Sequence, residues 1–256
     1  MSAPLPAVPR APRPTGAIRA VPSPEAPPRA AAPEPAPRRR RRAGPGKREV
    51  KRLETRARIV DAAAELFAER GFDAVSVVEI AGRAGVVEKT VFNHFPVKEG
   101  LVFEADPPVR EALLDAVRSR PAGQSVAAAA GGFVVAAMAG LGRPEAADGV
   151  AGMARVVRGS RTLQVREREI LGELTASLAT LVAEEAGEGP GAVRPVLAAH
   201  AVLGLYAALL ELARDRVLTG VTGPALTAEL REQGQRGLSL LQFGLAGYAK
   251  KRSSSG

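Results

Sequence analysis

The stretch VSVVEIAGRAGVVEKTVFNHFPVKEGLV, Val75 to Val102, decides how the whole chain is read. Ser76 with Glu79 three residues on is a capping box: hydroxyl and carboxylate each satisfy a backbone N–H that a helix start would leave bare. A helix is therefore expected over 77–84. Gly85 supplies the turn, because glycine takes positive φ without steric cost. A second helix follows over 87–95 and stops at Pro96, and a third is expected from about Val97, with Lys98 and Glu99 in its first turn. Ala81, Ala84 and Gly85 are small where two helices must cross, and Ile80, Val86, Val91, Phe92 and Phe95 form the apolar side. The pattern is a helix-turn-helix. Val87, Glu88, Lys89, Thr90, Asn93 and His94 then lie on the face that such a unit presents to base edges in a major groove. Lys89 suits guanine or a phosphate, Asn93 suits adenine, and Thr90 and His94 suit phosphate oxygens. Lys98 would add charge at a helix N-terminus.

Working outward, Leu53, Ile59, Val60, Ala63, Leu66 and Phe67 repeat at helical spacing, and Gly71 follows Arg70 as a helix stop, so a helix is expected over 53–70. Downstream, Asp106-Pro107-Pro108 should break the chain before a helix that runs to about Arg120. Further helices are expected near 124–141, 144–158, 162–186, 193–218 and 224–249, separated by Gly- and Pro-rich joints. No alternating strand pattern occurs. The expected fold is all-α: a three-helix DNA-binding domain over 47–102, then a helical bundle over 103–250 for effector binding and dimerisation. Disordered segments are expected at 1–46 and 251–256.

At these residues the chain resembles the TetR family of bacterial transcriptional regulators. The resemblance covers about Thr55 to Val102, through IVDAAAELFAERGFDAVSVVEIAGRAGV and KTVFNHFPVKEGLV, with T-x-F-x-H-F-P-x-K-E intact. It implies a dimer joined by its last two long helices, a C-terminal domain that binds a small effector, and repression relieved by that effector. Carried over by motif position, Thr90, Phe92, His94 and Lys98 fall where family members touch the DNA backbone. Val87, Glu88, Lys89 and Asn93 fall where base reading varies. Two positions depart from the family habit: Val87 stands where Ser or Thr often caps the helix, and Phe92 where Tyr is common. For the dimer, Leu197, Val202, Leu205, Leu209, Leu212, Leu230, Leu238, Leu241 and Leu245 are the apolar set on the last two helices.

The charge distribution bounds the partners. The net charge is +9, but residues 1–52 carry 13 Lys/Arg against 3 Asp/Glu, while the remainder carries 23 against 24. The basicity thus belongs to the N-terminal segment, which holds 13 of the 21 prolines before residue 47 and five consecutive arginines at 38–42. It reads as a solvated tail, as sequence upstream of the true translation start, or as a basic arm that adds DNA affinity by counterion release or minor-groove entry. There is no Cys, which suits a reducing compartment, and no apolar leader, so a cytoplasmic location is expected. Pro121 to Gly142 carries no charge but is mostly Ala and Gly, so a buried bundle helix is expected rather than a membrane span.

No catalytic constellation, metal-ligand pair or phosphate-cradling loop is present in the sequence, so neither an enzyme nor a cofactor is expected. Phe133, Met138, Arg158, His200 and Tyr206 are the candidate effector-pocket residues. The expected partners are double-stranded DNA, a second copy of the chain and a small-molecule effector, with no membrane. The alternative is an effector-independent or sequence-blind DNA-binding protein assisted by the basic tail.

Overall fold

The computed structural model describes residues 46–103, 108–189 and 191–244. Ten α-helices occur in it: α1 Lys47–Arg70, α2 Val77–Ala84, α3 Glu88–His94, α4 Gly100–Phe103, α5 Pro108–Arg118, α6 Val126–Ala139, α7 Pro144–Arg158, α8 Arg161–Ala186, α9 Val193–Leu218 and α10 Gly223–Phe243. A 3-10 turn, Gly140–Gly142, joins α6 to α7, and no strand occurs among the described residues. The all-helical fold is as the sequence indicates. The tail over 1–45, most of the Asp106-Pro107-Pro108 break and everything past Gly244, Leu245 included, lie outside the described residues.

Two boundaries differ from expectation. Helix α1 starts at Lys47, six residues early, because the side chains from Arg48 to Glu54 are exposed and so show no apolar period. Helix α4 starts at Gly100 rather than Val97. Residues 97–99 form the turns that lead into it, with Gly100 N–H donating to the Val97 carbonyl at 3.1 Å.

The head, α1 to α4, closes around Ile59, Ala63, Leu66 and Phe67 of α1, Ile80 and Ala81 of α2, Val91 and Phe95 around α3, and Leu101 of α4. The body has its own core, built from Leu113 and Val117 of α5, Val134 and Met138 of α6, Leu178 of α8, Val202 and Leu209 of α9, and Leu226 and Leu230 of α10. Helices α6 and α10 approach closely because glycines stand at the crossing. A Cβ on Gly234 would lie 2.8 Å from Val135 Cγ2, and one on Gly131 would strike Leu238. The uncharged stretch 121–142 thus supplies a buried bundle helix, as expected.

Helix α9 is long and apolar enough to cross a membrane, with mean hydropathy 1.9. In this fold one side of it lies against α6, α7, α8 and α10. The dimer set expected from sequence needs correction here. Val202, Leu209, Leu230 and Leu238 are buried inside the protomer, and Leu205, Leu212 and Leu241 pack against its core. Leu197 alone of the described members is exposed, at 65%. A helix packed on one side buries the larger part of its leucines there, and only the opposite stripe remains available.

Body and head meet at the α7–α8 corner. Val157 and Leu163 enter the head core, and Ser160, 1% exposed, donates its hydroxyl to Asp73 Oδ1 at 2.8 Å while accepting from Leu163 N–H.

Gly142→Ala should destabilise the chain by about 1–3 kcal/mol in urea unfolding, as overpacked sites do, because its Cβ would lie 2.6 Å from the Thr227 backbone nitrogen. Gly132→Ala, with nothing within 4 Å of the added carbon, should be neutral or stabilising.

Candidate DNA-reading face

The candidate reading face is assembled from its caps inward. Ser76 Oγ accepts from Glu79 N–H at 3.2 Å, and Ser76 N–H donates to Glu79 Oε2 at 2.8 Å, completing the capping box. Arg70 adds a donor to Glu79 Oε1 at 2.7 Å. The Ser76 backbone N–H leads these contacts in holding the Glu79 carboxyl down to about 2. At the other end of α2, Gly85 adopts left-handed geometry at φ 65, and Val86 N–H returns to the Ala81 carbonyl at 3.0 Å, which turns the chain sharply into α3.

Helix α3 has only 7 residues. Val91 and Phe95 are buried beneath it. Val87 occupies its N-cap and makes no side-chain capping bond, as its branched hydrocarbon dictates. The C-terminal carbonyls of both helices are met by α1. Arg56 Nη1 donates to the His94 carbonyl at 3.0 Å with its guanidinium 4.0 Å from the Phe95 ring centre, and Arg58 Nη1 donates to the Ala84 carbonyl at 3.2 Å. Cations at helix C-termini are favoured by the aligned peptide dipoles. Sequence reasoning passed over both arginines. Their signal is weak, because a basic residue on a helix looks the same whether it is solvated or caps a neighbour.

Val87, Glu88, Lys89, Phe92 and Asn93 are exposed, the apolar Val87 and Phe92 at 69% and 42%. Phe92, counted on sequence both beneath the unit and at the DNA, turns outward. Thr90 and His94 are half-buried at the edge of this face. Burial first, then the charges of Arg56 and Arg52, hold the His94 imidazole below its usual range. Lys98 is placed differently from the sequence expectation of a charge at a helix start. Its ammonium donates to the Phe72 carbonyl at 2.6 Å and lies 4.1 Å from the Phe72 ring centre. Desolvation there lowers its pKa, opposed by Asp73, Glu99 and Glu79. In this structure Lys98 braces the α1–α2 connector.

The five body residues do not converge. Met138 is buried, and Phe133 and Tyr206 are partly buried against the same core. Burial raises the Tyr206 phenol pKa. His200 is exposed on α9. Arg158 sits on the outside of the body, donating to Glu211 at 2.8 Å and Asp215 at 2.7 Å.

Residues 59–105 match the profile of the bacterial regulatory proteins, tetR family. The HTH-type transcriptional regulator TcmR of Streptomyces glaucescens is 32% identical over 148 residues, 56% of this chain and 66% of that protein. The helix-turn-helix segment of this chain is that of the TetR family of bacterial regulatory proteins. The HTH-type transcriptional repressor KstR2 of Rhodococcus jostii (strain RHA1) is 45% identical over 49 residues, 19% of this chain and 24% of that protein. The chain therefore spans less than two thirds of the length of these relatives. The crystal structure of NalD, described as the secondary repressor of the MexAB-OprM multidrug efflux pump in Pseudomonas aeruginosa, superposes with a TM-score of 0.50 at 23% identity. The superposition covers 73% of this chain and 96% of that one, and the likeness is one of fold.

Ser76→Ala should cost about 1 kcal/mol of stability, the usual cost of a lost N-cap. The Glu79 pKa is lowered on folding, so its contribution is present above pH 4.5 and lost as pH falls toward 2. In urea titrations the gap between wild type and Glu79→Gln should be widest at neutral pH and close across that window.

Proposed function

We propose that the chain is a homodimeric, sequence-specific transcriptional regulator that reads an inverted-repeat operator with α3. The observation that carries this reading is the outward face of Glu88, Lys89, Phe92 and Asn93 on a helix held rigidly from behind. Lys89 and Asn93 supply the donors that guanine and adenine edges accept, and the exposed Val87 and Phe92 suit thymine methyl groups. Thr90 and His94 border the face for phosphate contact. Lys98 serves indirectly, by fixing the connector that orients α2.

Dimerisation is proposed through the exposed stripe of α9: Val193, Leu197, His200, Gly204 and Ala208, spaced by three and four residues. Small residues in the middle of the stripe let a second α9 approach closely, and α10 flanks it. A two-fold dimer sets half-sites about one DNA turn apart. Repression, relieved by a small molecule bound in the body, completes the proposal. The name of KstR2 supports repression. Phe133, Met138 and Tyr206 are the residues that could share an apolar ligand, whereas Arg158 and His200 lie elsewhere.

Selection of duplexes from a random pool, followed by anisotropy titration, tests the reading. Enrichment of an inverted repeat is expected, and Lys89→Ala should lose about 1–3 kcal/mol of preference at one base pair of each half-site. Leu197→Arg should sediment as a monomer and lose high-affinity binding. A dimer persisting in that variant would refute the α9 interface.

A further inference from the structure

We infer that the first two turns of α1 are a second DNA-contacting element, which lays Arg48, Lys51 and Arg52 on the phosphate backbone beside the half-site that α3 reads. The inference rests on α3 being the DNA reader.

From Arg48 to Glu54 every side chain of α1 is exposed, including Val50 at 40% and Leu53 at 47%. None of these side chains is buried by the described residues of the protomer. Short helices without tertiary packing are marginal in water. The internal support here is continuity with the rest of α1 and an exposed Glu49–Arg52 pair at 2.8 Å, a kind of contact that contributes little.

Its position is set by the next turn. Arg56 reaches the carbonyl of His94, the last residue of α3, so the start of α1 leads away from that end of the reading helix. Arg52 and Arg48 lie four and eight residues before Arg56, along the same side of the helix. The charge of Arg52, like that of Arg56, is felt by the His94 imidazole. At the rise of an α-helix, Arg48 stands about 12 Å beyond Arg56, about the width of a major groove. A basic row thus continues from the reading helix across that distance.

Its charge balance separates this row from an ordinary solvated helix face. Several basic residues elsewhere on the surface are matched by acids, as Arg166 is by Glu169 and Glu173 and Arg83 by Glu65 and Glu69. The sequence KREVKR at 47–52 has four basic residues and one acidic, while residues 53–256 carry 23 basic and 24 acidic. Glu49 is the one acid there, and it occupies Arg52 until a phosphate replaces it.

The test uses the full chain and a duplex selected by it from a random pool, prepared with long flanks and trimmed to the half-sites. Wild type should bind the long duplex more tightly than the trimmed one. The triple variant Arg48→Gln/Lys51→Gln/Arg52→Gln should bind both alike, with an unchanged base preference. Its log-affinity against log-salt slope should be shallower by about 0.9 for each phosphate contact removed. Glu49→Gln, which frees Arg52, should bind the long duplex more tightly and with a steeper slope. Equal slopes and equal responses to trimming in wild type and the triple variant, both with native circular dichroism, would overturn the inference. Should the pool yield no preferred sequence, the regulator reading fails by itself. The α1 element is then judged by the salt slopes on a random duplex, where an unchanged slope overturns it and a shallower one sustains it.

Discussion

A seven-residue helix has too few internal hydrogen bonds to hold itself together in water, and the candidate reading face of this protein stands on one. Helix α3 exists because α1 completes it. Val91 and Phe95 sink into a core that α1 lines with Ile59, Ala63, Leu66 and Phe67. Burial on this scale contributes about 1.5–3 kcal/mol per large side chain. Arg56 and Arg58 then reach across to the last carbonyls of α3 and α2. Those two bonds, with the Ser76 cap and the Gly85 turn, account for polar groups that so short a unit would otherwise leave bare. The angle and depth of the candidate reading face are therefore properties of α1 as much as of α3.

The same economy governs the joint between head and body. Ser160 is buried, and its single hydroxyl both caps α8 and holds Asp73 of the α1–α2 connector, while Val157 and Leu163 extend the head core into the α7–α8 corner. Behind that corner, Arg214 of α9 is almost fully buried between Glu167 of α8 and Glu211 of its own helix, and Glu211 is shared with Arg158 of α7. A buried guanidinium stripped of its carboxylates is costly, so α7, α8 and α9 keep fixed relative positions there. Apolar contacts at one end and a connected set of charges at the other join α9 to the head.

The local elements were legible in the sequence because their causes are local. A hydroxyl three residues before a carboxylate, a glycine at a turn, a proline after a phenylalanine and apolar residues every three or four positions each act within one or two helical turns. Together they reveal α2, the turn, α3 and the succession of body helices. The resemblance of Thr55 to Val102 to the TetR family rests on the same local features, and the family profile at 59–105 agrees with it.

What the tertiary structure decided is which partner each side chain found. The sequence shows that Lys98 is charged, but packing of the connector against it decided that its ammonium bonds the Phe72 carbonyl. Sequence marks Val202, Leu209, Leu230 and Leu238 as apolar on the last two helices, yet it cannot say which side of each helix the protomer itself covers. Arg56 and Arg58 read as surface charge until the carbonyls 38 and 26 residues away are brought to them. Helical period records that a face is buried, whereas the identity of what buries it depends on contacts between residues far apart in the chain. That is why the sequence alone determined the helices and the candidate reading face, while the capping arginines, the brace at Lys98 and the exposed stripe of α9 were settled only by the folded chain.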